Sequence, residues 1–252
     1  ALRFCDVNLN HADRRAYPWT AGVDVQGHPG DGVFRSDCGI SYTDEQLETA
    51  RNQAKEIYAA GREEVNDPVL HADQLTFHYE IAVSRIGIDK RVVDLGCGDG
   101  YGSRILSDAG HSVCGVDLCA LYDKWLEMVR RTDQWMCFAR EDARNTHLPA
   151  GFFDVCTCME LIEHLKEPTS LLLEIRRLLK PGGLLVLSTP QNRFGRIPVN
   201  SAHEREYSLA ELTAIAGEVF KIEEVIGIKC GRVINPREPI GTNTVLVCRK
   251  EK

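Results

Sequence analysis

Apolar and polar residues alternate with two different periods along the second part of the chain. From residue 91 onward, short apolar runs typical of buried strands lie between amphipathic segments typical of helices. The strand-like runs are RVVDLG, SVCGVDL, a weaker one near WMCFARE, FDVCTCM and GLLVLSTP, and the clearest helix is PTSLLLEIRRLLK. This order predicts an α/β fold, with a Rossmann-like, doubly wound and mostly parallel sheet that carries helices on both faces.

The two ends of the chain add an edge hairpin and an arm to this sheet. Two further apolar runs after residue 218, VFKIEEVIGIKC and TNTVLVCRK, are joined by the loop GRVINPREPIG. Because no helix separates them, they are predicted to pair antiparallel at the sheet's edge. Residues 1–66 are predicted to form an N-terminal arm, loop-rich at first, with a cap helix from Thr43 to about Gly61. A second helix, starting at Asp67 and Pro68, opens the main domain of residues 67–252.

Composition and charge narrow the classes of partner. The chain has 252 residues, of which 43% are hydrophobic, so it can bury a full core. Its formal charge of −7 gives no overall electrostatic attraction for nucleic acid, which is therefore a disfavoured partner, although a local basic patch stays open. The start lacks the apolar region of a secretion signal, and no apolar run reaches the roughly 20 residues that span a bilayer. We therefore expect a cytoplasmic protein without a membrane partner. The ten cysteines include no CxxC pair and are expected to be reduced core thiols.

The stretch VVDLGCGDGYGS, residues 92–103, is the first candidate site. It follows a buried strand and precedes a helix, which is where ligands bind in a doubly wound sheet. A dinucleotide-binding GxGxxG turn would need glycine at Tyr101, whereas the spacing here is DxGxGxG, headed by Asp94. A carboxylate at that position suits a cationic or amino-bearing ligand better than a pyrophosphate, which it would repel.

Two more acids follow the next predicted strands. Asp117 ends the second strand about 20 residues after the first glycine, where an acid accepts both hydroxyls of a ribose. Asp142, after the third strand, can accept a hydrogen bond from an adenine amino group. Glu160, Glu163 and His164 lie at i, i+3 and i+4, so a helical turn after the fourth strand would direct all three to one side.

Six motifs in this order resemble those of class I S-adenosylmethionine-dependent methyltransferases, from about residue 70 to 250. They are DLGCGDGYG at 94–102, VDL at 116–118, EDA at 141–143, MELIEHL at 159–165, LKPGG at 179–183 and STP at 188–190. The resemblance implies S-adenosylmethionine as cofactor, with the glycine turn at its methionine end. The residues it assigns to the cofactor are Asp94, Gly96, Gly98, Gly100, Tyr101, Asp117, Leu118, Asp142, Ala143 and Glu160.

The ExxEH motif, followed by HxxEY at residues 203–207, resembles three groups within that family. These are ubiquinone-pathway O-methyltransferases, bacterial glycan or metabolite methyltransferases, and small-RNA ribose methyltransferases. The last group implies a divalent ion, Mg, Mn, Fe or Zn, held by Glu160, Glu163, His164 and His203. The alternative without metal gives Glu163, His164 and His203 catalytic roles, with a histidine as general base.

O-methylation of a small molecule or sugar is the predicted activity, with the acceptor site formed by residues 1–66 and loops 191–207 and 231–241. Three alternatives stay open: ribose 2′-O-methylation of RNA, N-methylation of a small molecule, and cofactor binding without turnover. The oligomeric state is open too, a homodimer included. His78, beside Phe77 and Tyr79 on the second helix, is expected to pack in the core, with contact to cofactor or substrate as the alternative.

Overall fold

The structure is a computed structural model that describes residues 74–119, 121–191, 203–229, 233–235 and 243–252. The predicted arm, its cap helix and the start of the second helix at Asp67 lie outside the described residues. The same holds for most of the two loops that we expect to line the acceptor site. The domain boundary between residues 66 and 67 therefore stays a prediction.

Five helices and eight strands make up the described chain. The helices are α1 (Gln74–Ile86), α2 (Tyr101–Asp108), α3 (Tyr122–Arg130), α4 (Pro168–Leu178) and α5 (Leu209–Gly217). The strands are β1 (Arg91–Leu95), β2 (Ser112–Asp117), β3 (Met136–Arg140), β4 (Phe153–Met159), β5 (Leu179–Pro190), β6 (Lys221–Lys229), β7 (Val233–Asn235) and β8 (Asn243–Arg249).

All the described strands belong to one sheet, in the order β3-β2-β1-β4-β5-β8-β6-β7. Strands β1 to β5 are parallel, and β8 is antiparallel to both of its neighbours, β5 and β6. The predicted Rossmann-like sheet is thus confirmed. Because β1 lies between β2 and β4, the carboxyl ends of these three strands meet at one edge, which is where the candidate site forms.

Side chains alternate between two covered faces of this sheet. Val93 of β1 belongs to the core on the face packed by α4 and α5, which includes the apolar residues Leu171, Ile175, Leu178 and Leu179. Its neighbour Val92 faces the opposite core, formed with α1 and α2. Adjacent strand residues point to opposite faces, so a continuous apolar run is what a doubly covered strand requires.

The two C-terminal runs form β6 and β8 and pair antiparallel at one end of the sheet, as predicted. Strand β8 lies between β5 and β6, and β7 is outermost. The loop predicted between β6 and β8 contains β7, whose Val233 and Ile234 are good strand formers. Helix α4 ends at Leu178, and the next residue, Leu179, has an extended backbone and begins β5.

The cysteines in the described part of the chain agree, apart from one, with the expected reduced core thiols. Six of its seven described cysteines are buried free thiols, and Cys119 is exposed. Cys156 and Cys158 of β4 face the same core, as their alternation predicts. No helix in the described ranges has the length and apolar character needed to cross a membrane.

Candidate active site

The glycine turn between β1 and α2 has a backbone that few other residues adopt. Gly96, Gly98 and Gly100 have φ values of 76°, 54° and 90°, in the left-handed region. The turn is fixed to β2, because the N–H groups of Gly96 and Cys97 both donate to the carbonyl of Val116, at 2.8 and 3.1 Å. Bare backbone is therefore presented at the carboxyl end of β1, as the sequence predicts.

Aromatic rings support this turn from below. The indole of Trp125 donates to the carbonyl of Gly98 at 2.8 Å and stacks on the ring of Phe138, with centroids 5.2 Å apart. A Cβ added at Gly100 would come within 2.7 Å of the Phe138 ring, and one at Gly115 within 2.4 Å. Both glycines are thus also required by packing, independently of any ligand.

Asp94 lies beneath the turn and is fully buried. Its carboxylate accepts hydrogen bonds from the hydroxyls of Ser103 at 2.6 Å, Thr157 at 2.8 Å and Tyr79 at 3.1 Å. Burial raises the pKa of Asp94 to about 6, although these hydrogen bonds act in the opposite direction. The charge predicted for the methionine end of the cofactor is therefore held by three hydroxyls rather than exposed in the cleft.

Asp117 connects the second strand to the glycine turn. Its two carboxylate oxygens accept hydrogen bonds from the N–H groups of Gly98 and Cys119, each at 2.8 Å. The next residue, Leu118, is 57% exposed and offers an apolar side chain at the same edge. This arrangement suits the ribose hydroxyls expected at Asp117, and Leu118 is also among the residues that the resemblance assigns to the cofactor.

Asp142 and Ala143 follow β3 at the neighbouring position. The guanidinium of Arg144 pairs with the Asp142 carboxylate, with a shortest distance of 2.6 Å, and hydrogen bonding from Arg144 lowers the pKa of Asp142. Ala143 is buried, with 7% of its surface exposed. Asp142 is thus an oriented, charged acceptor, as contact with an amino group requires.

Glu160 follows β4 with a φ of 52°, one of two non-glycine residues with positive φ in the described chain. Its carboxylate accepts hydrogen bonds from Ser188 Oγ at 2.8 Å and from Asn243 Nδ2 at 2.9 Å, and His78 Nδ1 lies 3.4 Å away. Burial, followed by the charge of Glu163, raises the pKa of Glu160 to about 8. Glu160 therefore belongs to a hydrogen-bonded group of its own.

Glu163, His164 and His203 come together next to it. One ligand atom from each of the three lies within 4.8 Å of the others, so they could hold a metal ion. The imidazole rings of His164 and His203 meet edge to face at 4.9 Å, and His203 Nδ1 lies 2.8 Å from a carboxylate oxygen of Glu206.

The buried carboxylate of Glu163 favours a cationic partner. One of its oxygens accepts a hydrogen bond from Thr189, and the other is buried with no hydrogen-bond partner among the described residues. Burial is the main reason that its pKa rises to about 7. An unpaired buried oxygen is costly, and a bound cation would satisfy it.

The expected helical turn after β4 needs correction. Only Ile162–His164 are helical, in a short 3-10 turn, and the left-handed backbone of Glu160 precedes it. Glu160 therefore does not share a helix face with Glu163 and His164, and it lies outside the group that could hold an ion. The structure brings together three of the four residues predicted as metal ligands.

Several residues of this site were not identified from the sequence. They are mostly hydroxyl and amide groups that hold the acidic side chains, and they come from distant parts of the chain. Ser188 and Thr189 were visible only as part of the STP motif, without a role. The residues concerned are Tyr79, Ser103, Thr157, Ser188, Thr189, Glu206 and Asn243.

The fold and the site together define a class of protein. A glycine turn after β1, an acid after β2 and a polar group after β4, on this strand order, are the features of a class I S-adenosylmethionine-dependent methyltransferase. Residues 67–222 match the family model described as "Methyltransferase domain". The chain belongs to the methyltransferase family, which confirms the resemblance drawn from its motifs.

Curated relatives and a solved structure agree with this assignment. The chain is 33% identical over 144 residues to a probable S-adenosylmethionine-dependent methyltransferase of Mycolicibacterium smegmatis, covering 54% of each protein. It is 34% identical over 131 residues to a ubiquinone biosynthesis O-methyltransferase of Haemophilus ducreyi, covering 48% of this chain and 54% of that protein. The alignments thus span about half the length of these relatives.

Among solved structures, the chain resembles a 1,6-didemethyltoxoflavin-N1-methyltransferase of Burkholderia thailandensis, bound to 1,6-didemethyltoxoflavin and S-adenosylhomocysteine. The TM-score is 0.61 at 21% sequence identity, covering 86% of this chain and 93% of that one. At this identity, the likeness shows the shared fold.

Proposed function

We propose that this protein transfers the methyl group of S-adenosylmethionine to an oxygen of a small-molecule or sugar acceptor. The observation that carries the proposal is the coupling of Asp117 to the glycine turn through Gly98. An acid that is hydrogen-bonded to the bare turn supports the assignment of a ribose site next to a methionine site. The name of the Haemophilus ducreyi relative supports oxygen as the methylated atom.

The chemistry demands alignment and proton removal. Methyl transfer is an in-line displacement at the sulfonium carbon, so the acceptor must enter opposite the leaving sulfur. Its hydroxyl must also lose a proton, and the exposed imidazole of His164 lies beside Glu163 to receive it. His203, whose Nδ1 is held by Glu206, would orient the acceptor or share this role.

The same three residues, Glu163, His164 and His203, fit a divalent ion. The unpartnered oxygen of Glu163 and the two imidazoles are a donor set that suits Mn, Fe or Zn, and Mg less well. Such an ion, when bound, lowers the pKa of a coordinated hydroxyl. In that case Glu163 and the histidines hold the ion, and Glu160 remains with the cofactor.

N-methylation of a small molecule is the second candidate. It is favoured by the name of the Burkholderia thailandensis enzyme, an N1-methyltransferase with the same fold. An amine acceptor of low basicity would need less help with proton removal than a hydroxyl does. The His164→Ala variant therefore distinguishes O-methylation from N-methylation, since its activity toward oxygen acceptors should fall far more than its activity toward nitrogen acceptors.

Binding of the cofactor tests the proposal directly. Calorimetry should show affinity for S-adenosylmethionine and S-adenosylhomocysteine, and none for a nicotinamide dinucleotide. Asp117→Ala should weaken both affinities by roughly 30-fold or more, because it removes charge-assisted hydrogen bonds worth about 2 kcal/mol. Asp123→Ala, an exposed acid in the first turn of α3, is the matched control and should bind normally.

Two results decide against the proposal. If Asp117→Ala binds S-adenosylmethionine as tightly as the wild-type protein does, Asp117 does not bind the ribose. If the wild-type protein prefers a nicotinamide dinucleotide, S-adenosylmethionine is not its cofactor. The acceptor class is tested with S-adenosylmethionine labelled on its methyl group, against phenols, sugars, amines and RNA. Transfer to RNA alone would replace the small-molecule acceptor with ribose methylation.

A further inference from the structure

His78 of α1 is fully buried next to Glu160 and has no assigned role. Its Nδ1 lies 2.9 Å from Ser188 Oγ and 3.4 Å from a carboxylate oxygen of Glu160. Its Nε2 is buried with no hydrogen-bond partner among the described residues. A core histidine whose polar contacts in the described part of the chain both lie in the candidate site is not explained by packing alone.

The direction of these hydrogen bonds follows from the number of protons. The Ser188 hydroxyl has a single proton, which it donates to Glu160 Oε1 at 2.8 Å. When Glu160 is ionised, as beside a bound cation, the hydroxyl can then only accept from the imidazole, so Nδ1 of His78 carries the ring proton. Burial lowers the pKa of His78 to about 4, so the ring is neutral and Nδ1 holds its single proton. A chain of donors thus runs from His78 through Ser188 to Glu160.

Glu160 needs such support because of its backbone. A non-glycine residue with a φ of 52° is strained by about 1–2 kcal/mol, and it keeps this conformation only where its surroundings impose it. Ser188 contacts Glu160 twice, since its carbonyl also accepts from the Glu160 N–H at 3.0 Å. Asn243 donates to the second carboxylate oxygen at 2.9 Å. Both oxygens of the side chain therefore have fixed directions.

The position of Glu160 relates it to the glycine turn. Strands β1 and β4 are neighbours, with Leu95 opposite Cys158, so Glu160 follows β4 just where the turn follows β1. The next residue, Leu161, lies 3.0 Å from the position of a Cβ at Gly96. A carboxylate at this point lies at the same edge of the sheet as the glycine turn, which the resemblance assigns to the methionine end of the cofactor, where the sulfur carries a positive charge.

We propose that His78 is a positioning residue of the cofactor site, which acts through Ser188 to direct the Glu160 carboxylate toward the sulfonium of S-adenosylmethionine. The proposal rests on the cofactor assignment made above. It predicts a specific signature. A directed carboxylate favours the cationic cofactor over its neutral, demethylated product, so loss of direction should reduce affinity for S-adenosylmethionine more than for S-adenosylhomocysteine.

Two substitutions of His78 distinguish the role of Nδ1 from that of Nε2. In His78→Asn, the side-chain amide N–H takes the place of Nδ1–H, whereas His78→Gln places its amide near Nε2. We expect the Gln variant to lose roughly tenfold in affinity for S-adenosylmethionine and about threefold or less for S-adenosylhomocysteine. The Asn variant should retain most of the wild-type preference. Both affinities are measured by calorimetry at one pH.

His111 provides the matched control. It is also fully buried, with Nδ1 accepting from the Lys90 N–H at 3.2 Å and Nε2 without a partner among the described residues. It lies at the opposite end of β2 from the site. His111→Asn should therefore lower the thermal midpoint without changing the ratio of the two affinities.

The route through Ser188 is tested by a double-mutant cycle. Ser188→Ala should reduce the preference for S-adenosylmethionine by itself, and His78→Gln should add little to it. Additive effects, equal losses of both ligands, or an Asn variant as defective as the Gln variant would overturn the proposal. If the His78 variants do not fold, an unchanged preference in Ser188→Ala overturns it. A wild-type protein that binds neither ligand would instead refute the cofactor assignment itself.

Discussion

Replacing Asp94 by asparagine should make the protein more stable at neutral pH while weakening its cofactor site. Asp94 is fully buried, and burial raises its pKa from 3.8 to about 6 in spite of three hydroxyl donors. The folded state therefore holds the charged form less readily than the unfolded chain does. Because asparagine is neutral and similar in shape, it removes this unfavourable charge and leaves the packing intact.

The magnitude follows from the pKa. Each pH unit by which a folded-state pKa differs from its unfolded value corresponds to about 1.4 kcal/mol. A carboxyl group whose pKa rises from 3.8 to about 6 thus destabilises the folded state by roughly 3 kcal/mol once it is ionised. For a raised acid, stability is highest below the unfolded pKa and falls as pH increases through the folded one. The gain from Asp94→Asn should accordingly develop between about pH 4 and 6 and stay constant above.

The assay is urea unfolding of both proteins at several pH values from 4.5 to 8. The buried indoles of Trp125 and Trp135 report unfolding by fluorescence. Asp142→Asn is the control of opposite sign, because hydrogen bonding from Arg144 lowers the pKa of Asp142. Loss of the Asp142 charge should reduce stability at neutral pH. Calorimetry should show weaker cofactor binding for both Asp94→Asn and Asp142→Asn.

Two results would refute the reasoning. If Asp94→Asn is less stable than wild type by an amount that does not depend on pH, the three hydroxyls stabilise the charge fully and burial is not the dominant effect. If Asp94→Asn binds S-adenosylmethionine as tightly as wild type does, the charge beneath the glycine turn does not contribute to the cofactor site.

Two further predictions concern packing and metal. Gly102→Ala should cost about 1–3 kcal/mol of stability in thermal unfolding and weaken cofactor binding, because the new Cβ would lie 2.0 Å from the Tyr79 ring that supports Asp94. The control Gly217→Ala, whose new Cβ would have its nearest neighbour at 3.9 Å, should be neutral or slightly stabilising. Saturating Mn²⁺ or Zn²⁺ should raise the thermal midpoint of the wild-type protein by about 5 °C. Glu163→Gln should abolish this rise, whereas the control Glu167→Gln, at an exposed neighbouring residue, should keep it. If the wild-type midpoint does not rise, the site does not bind these metals.

The sheet and the acids at its edge could be predicted because both depend on local pattern. Buried parallel strands are continuous apolar runs, and an acid at the end of such a run lies at the carboxyl edge whatever the loops do. Asp94, Asp117 and Asp142 were found in this way. The groups that hold them were not, because their contacts join residues far apart in sequence. Ser188 and His78 are 110 residues apart and meet only when α1 packs on β5.

The local conformation of Glu160 could not be predicted for a different reason. Spacing at i, i+3 and i+4 is evidence of a shared face only if the segment is helical. Here the first of the three residues, Glu160, has a left-handed backbone conformation. That conformation is unfavourable for glutamate by local preference, so no propensity predicts it. It exists because the hydrogen bonds from Ser188 and Asn243 outweigh the strain.

The same edge of the sheet gathers three carboxylates whose pKa values are raised. They are about 6 for Asp94, about 7 for Glu163 and about 8 for Glu160, and burial is the first cause in each case. Partly dehydrated charges of one sign destabilise a fold unless a cation completes the arrangement. A sulfonium next to Glu160 and an ion at Glu163 would each favour the charged carboxylates and return stability on binding. We therefore propose that cationic ligands, rather than the needs of the fold, account for the acidic clustering at this edge.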